Sequence, residues 1–175
     1  MLIDKQAEEG ISADLQRLLA SVRSLHRGKA GTRFKPHKPV MLLTLLDLME
    51  TGHVRENHFE LTHELERRFT ALFEQVAGVG DLCQVGPPFF HLRSDGFWFH
   101  KPCQGKEREY FNTSGPGGWK SSIMSMVEYG FFDPDTYALL LDARARQVVR
   151  GALLTHYFCE EERERLRRLT HGAGA

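Results

Sequence analysis

From residue 33 the chain reads Arg-Phe-Lys-Pro-His-Lys-Pro, and the ten residues that follow, 40–49, are almost all apolar. The pattern is that of a cationic turn opening a buried helix. A helix start exposes unpaired N–H groups and carries a partial positive charge, so it suits an anion such as phosphate. Arg33, Lys35, His37 and Lys38 add cationic side chains at that same end. Between Asp14 and Asp47 stand seven Lys or Arg and no Asp or Glu. The whole chain balances 23 basic against 23 acidic residues, so this excess is local. On these residues alone, a solvated basic turn before an ordinary core helix is an equally good reading.

A second segment, Gly86-Pro87-Pro88-Phe89-Phe90-His91-Leu92, leads two prolines into an aromatic run. Proline fixes its backbone and presents a dry, rigid ring. A stiff strand entry at a sheet edge explains the same residues. A third segment, Asn112-Thr113-Ser114 with Lys120, offers polar groups of the kind that read base edges in a groove. A plain surface loop has the same composition.

Catalytic chemistry finds little support. An H-N-H centre needs a His base beside a metal-binding His, and no such group assembles here. Pro134-Asp135 could open the other common nuclease core, yet no Glu-x-Lys or Asp-x-Lys occurs anywhere. Phosphate loops, nucleophile elbows and H-E-x-x-H are missing too. Cys83, Cys103 and Cys159 form no C-x-x-C and read as reduced thiols. His53, His58 and His63 repeat every five residues, which spreads them by about 140° around a helix. Neither a metal nor a cofactor is expected.

The elements that must position these residues follow from pattern. A chain of 175 residues, 41% hydrophobic and 26% charged, reads as one soluble domain with a normal core. No apolar run reaches a membrane span, and residues 1–10 lack a signal-peptide core, so a cytoplasmic location is expected. Apolar spacing predicts a helix over residues 11–25 capped by Ser12, a loop over 28–36, and a helix over 61–77. Between them a central helix should run from about 38 to 50, with Pro39 in its first turn. Residues 89–93 and 97–100 flank Ser94-Asp95-Gly96, which predicts an antiparallel hairpin over about 89–100. Residues 104–119 read as a polar loop, mobile over 114–118, with helices at 121–129, 134–141 and 143–157. Residues 160–175 form a charged tail, either a surface helix or the start of a linker. The fold class expected is α+β and predominantly helical, a bundle around the central helix with one small hairpin.

Three blocks carry a resemblance. They are P-H-K-P-V-M-L-L-T-L-L-D-L-M-E-T-G from Pro36, P-P-F-F-H-L-R-S-D-G-F-W-F from Pro87, and D-P-D-T-Y-A-L-L-L-D-A-R-A-R-Q-V-V-R-G-A-L-L-T-H-Y-F from Asp133. In that order, over residues 15–160, the chain resembles the sulfur-binding domain that precedes H-N-H nuclease domains in bacterial modification-dependent restriction endonucleases. Such domains recognise phosphorothioate DNA, in which sulfur replaces one non-bridging phosphate oxygen.

The resemblance implies a sulfur pocket at His37, Lys38, Gly86, Pro87, Pro88 and His91. Two positions depart from the pattern, for the family often has Arg where Lys38 stands and Tyr where Pro87 stands. A lysine cannot fork onto a phosphate as arginine does. Lys29, Arg33 and Lys35 would hold neighbouring phosphates, and Asn112, Thr113, Ser114 and Lys120 would face the bases. The partner implied is double-stranded DNA carrying a phosphorothioate linkage, read for a fused or partner nuclease. Two rivals are a helical DNA-binding domain with a hairpin wing that ignores the modification, and a small stand-alone nuclease.

Overall fold

Ser12 caps the first helix by accepting the Leu15 N–H, and α1 (Ala13–Arg23) turns Leu15, Leu18, Leu19 and Val22 inward. The computed structural model describes residues 12–115 and 120–171. Residue 11 of the first expected helix, residues 116–118 of the expected mobile loop, and residues 172–175 of the tail lie outside those described.

Within the expected loop, β1 (Lys29–Ala30) and β2 (Arg33–Phe34) pair as a minimal antiparallel hairpin, Lys29 opposite Phe34. Then comes α2 (His37–Glu50), in which ten residues between Lys38 and Leu48 are buried. It packs against α3 (His63–Glu74) on one side and α8 (Ala143–Tyr157) on the other. Near-uniform apolarity therefore does put this helix at the centre, since every face meets another element. The last helix, α9 (Glu160–His171), buries Leu166 and touches α3, so the described part of the charged tail is a surface helix. Among the described residues no helix is long and apolar enough to cross a membrane.

The hairpin expected over 89–100 is not formed. In its place stand a short helix, α4 (Gly86–His91), and one 3-10 turn over Leu92–Asp95. Pro87 and Pro88 preset a helical backbone where their missing N–H groups cost nothing. Gly96, left-handed at φ 87°, stops the turn rather than closing a hairpin. Only then does β3 (Trp98–Pro102) begin. Its partner is β4 (Val127–Phe132), antiparallel, with Trp98 opposite Phe132 and His100 opposite Gly130. The helix expected over 121–129 is accordingly short, α6 (Lys120–Met124), and gives way to that strand. Gly130 makes the pairing possible, because a Cβ there would lie 2.1 Å from Cζ2 of the buried Trp98 ring. Between β3 and α6 lies α5 (Glu107–Asn112), and after β4 comes α7 (Pro134–Leu140), capped by Asp133 as its sequence suggests.

Candidate functional site

The starts of α2 and α4 converge on one cleft of about 640 Å³. Lys35, His37 and Lys38 line it together with Pro87, Pro88 and His91. The two segments singled out in the sequence are thus brought together. Gly86 lies behind the cleft instead, where a Cβ would meet Ile123 Cδ1 at 2.6 Å, so its absence lets α4 sit close on α6.

The charges of the basic turn are distributed unevenly. Lys38 is buried, and its Nζ donates to Asp95 Oδ2 at 2.6 Å and to Ser94 Oγ at 3.0 Å. The Asp95 side chain is only 2% exposed, and its Oδ1 also accepts the His26 backbone N–H at 2.8 Å. Arg33 pairs in the same way with the fully buried side chain of Asp81. Burial alone would push the Asp81 carboxyl up, but the Gly78 N–H and the Arg33 guanidinium hold it below the usual carboxylate range. A window free of acids in sequence is therefore not free of them in space.

His37 is shifted toward its neutral form in this setting. Burial lowers its pKa, outweighing the Leu82 carbonyl and the Asp81 charge that act against it. Its Nε2–H donates to Leu82 O at 2.8 Å, its ring meets Phe73 edge-on, and its buried Nδ1 has no hydrogen-bond partner among the described residues. Burial lowers His91 as well, with Lys38 and Arg93 adding to the effect. Lys35 and Lys29 have no acidic partner among the described residues, and Lys29 Nζ lies 4.8 Å from the Phe34 ring. Arg27 lines the cleft too, although no motif in its sequence neighbourhood marks it.

Buried aromatic residues hold α4 from behind. Trp98 Nε1–H is shared between Phe89 O and His100 Nε2, each at 3.0 Å. His100 Nε2 also lies 3.1 Å from Phe89 O, and its Nδ1 shares a hydrogen bond with Tyr110 Oη at 2.9 Å. Phe90 stacks on His100, and the Arg93 guanidinium caps Phe90 at 4.1 Å. Arg93 also donates to Thr113 O at 2.6 Å, which pins the loop holding Asn112, Thr113 and Ser114 near the cleft. A Cβ on Gly115 would lie 3.2 Å from His91 Cε1. Lys120 stands apart from that loop's polar groups, bonded to Glu66 at 2.6 Å.

A pH prediction follows from this support. Burial drives the His100 pKa down to about 4, with Arg93 assisting and the Phe89 carbonyl opposing. The unfolded ring titrates near 6.5 and binds a proton that the folded ring refuses. Its stabilising contribution is complete above that unfolded value and is lost as pH falls toward the folded one. Between pH 7 and 5.5 the loss should be about 1 kcal/mol. Denaturant melts across that range should show it, and a His100→Phe variant should lack this component of the slope.

Among the described residues, a helical scaffold thus carries a cleft lined both by proline rings and by cationic side chains. The family profile of the ScoMcrA-like DNA sulfur-binding domain matches residues 15–170, and the chain belongs to that family. Among solved structures it is similar to "Sulfur binding domain of SprMcrA complexed with phosphorothioated DNA", at 18% identity and a TM-score of 0.60. That similarity covers 89% of this chain and 99% of the other. Comparison with curated protein sequences gives no match.

Proposed function

We propose that this chain reads phosphorothioate linkages in duplex DNA, seating the sulfur against Pro87 and Pro88 while cations at the rim hold the backbone. One observation carries the reading: two proline rings share a cleft with the start of α2. A phosphorothioate keeps its negative charge, so cationic surroundings remain useful. Sulfur is larger and less strongly hydrated than oxygen and accepts hydrogen bonds poorly. An apolar wall takes it at small cost, whereas an oxygen there would lose water and gain no donor.

The roles within the cleft then divide. Asp95 already neutralises Lys38, so the aliphatic stem of Lys38 serves as wall and its ammonium as an internal tie. Arg33 likewise ties down Asp81. Lys29 and Lys35 supply charge to neighbouring phosphates, which adds affinity without sequence preference. Asn112, Thr113 and Ser114, on the segment that Arg93 holds through Thr113 O and that brings Gly115 against His91, face the groove, while Lys120 stays on Glu66 and plays no part in contact. The chain itself is a reader in the bacterial cytoplasm, and strand scission belongs to a fused or partner nuclease.

The test is a comparison of one duplex with and without a single phosphorothioate, each diastereomer separately, at fixed salt. Binding should be tighter for one modified diastereomer by about 5- to 150-fold, the equivalent of 1–3 kcal/mol for one such group. Equal affinity for all three duplexes would overturn the reading.

A further inference from the structure

The cations around the cleft differ in what holds them. Arg33, Lys38 and Lys120 each pair with a carboxylate. Arg27 does not, for no acidic partner meets it among the described residues. Its guanidinium carbon lies instead 4.4 Å from the Phe34 ring centroid and 4.4 Å from that of Tyr157. Tyr157 is itself fixed, its Oη donating to Val22 O at 2.7 Å and accepting the Leu25 N–H at 3.1 Å. Two ring contacts restrain the guanidinium and use none of its N–H donors.

We propose that Arg27 is the pre-oriented phosphate clamp of this cleft, restrained by Phe34 and Tyr157 so that its N–H groups meet a backbone phosphate beside the sulfur-bearing linkage. This rests on the phosphorothioate reading proposed above. A planar guanidinium can grip two phosphate oxygens at once, which an ammonium cannot. A free arginine loses side-chain freedom when it does so, and a side chain already held by rings loses less. Phe34 and Tyr157 are thus positioning residues, and Arg27 makes the contact. Lys29 meets the Phe34 ring alone, at 4.8 Å, so it is held less firmly than Arg27, and Lys35 has no ring contact among the described residues; both act as more diffuse charges.

The experiment uses the full chain and a duplex bearing one phosphorothioate, with affinity measured over a series of salt concentrations. Each phosphate neutralised contributes about 0.9 to the slope of log K against log salt. Arg27→Ala should flatten that slope by about this amount and weaken modified and unmodified duplexes alike, by about tenfold. Arg27→Gln should do the same, which guards against a packing defect in the alanine variant. Arg27→Lys should keep the slope and lose most of the affinity. Phe34→Ala should also keep the slope while weakening binding about two- to fivefold, since the charge stays and only its orientation is lost. A wild-type slope in both Arg27→Ala and Arg27→Gln would overturn the clamp and leave the sulfur preference standing. Absence of any sulfur preference in the unaltered chain would instead overturn the reading beneath it.

Discussion

Replacing Asp95 by alanine should cost about 3–5 kcal/mol of unfolding free energy, because it strands a buried cation. Lys38 sits with its ammonium on Asp95 Oδ2, and both side chains are almost wholly removed from water. Without the carboxylate, the ammonium keeps only the Ser94 hydroxyl as an acceptor. The His26 N–H loses its partner in the same substitution. In a domain of this size each kcal/mol moves the melting temperature by about 2–4 °C, so a fall on the order of 10 °C is expected. Pairing Lys38→Met with Asp95→Asn removes the charge and keeps an acceptor for His26. That double variant should recover most of the loss, since replacing both members of a buried pair is often close to neutral. Thermal and urea melts of the three proteins decide the matter. A loss below about 1 kcal/mol for Asp95→Ala would mean that Lys38 reaches water, as exposed pairs do.

Asp95 also shows where local sequence stops being informative. Ser94-Asp95-Gly96 has the composition of a hairpin turn, and Gly96 does adopt positive φ. The carboxylate, however, serves His26 and Lys38, partners 69 and 57 residues away. No neighbour in sequence announces that. The central helix was legible because its burial is written into a nearly unbroken apolar run, and the caps at Ser12 and Asp133 because capping is local. The run 86–92 was legible as apolar and rigid but not as helical, since a short apolar stretch fits strand and helix equally well. The deciding fact is that β3 finds its partner at β4, where Gly130 leaves room for Trp98.

The cleft was legible in its two walls and illegible in its charge. Arg33, His37 and Lys38 read as a cationic cluster, yet Asp81 and Asp95 neutralise two of them and burial lowers the third. An acid-free window should itself prompt a search for acids elsewhere that fold back onto it. Arg27 gave a weaker signal still, because its frame joins Phe34, seven residues on, to Tyr157 at the far end of α8.

Pro87→Asp should erase the preference for sulfur and weaken binding to both duplexes by about a hundredfold or more. Pro87 lines the cleft and is half-buried, whereas Pro88 is buried, so Pro87 is the position where a charge tests the wall without filling the core. It stands in the first turn of α4, where an aspartate is well tolerated and is favoured by the helix dipole. The fold should therefore survive. In the complex, a carboxylate about 6 Å from a thiophosphate, at an effective dielectric near 20, adds about 3 kcal/mol of repulsion. That is a factor of more than a hundred in affinity. The dry surface is lost as well, and with it the reason for sulfur to be preferred over oxygen. Pro87→Ala separates the two effects, for it removes the ring without adding charge. It should lower the sulfur-to-oxygen ratio while leaving the salt dependence of binding unchanged. A Pro87→Asp protein that melts like the wild type and keeps the full ratio would show that the sulfur is seated elsewhere.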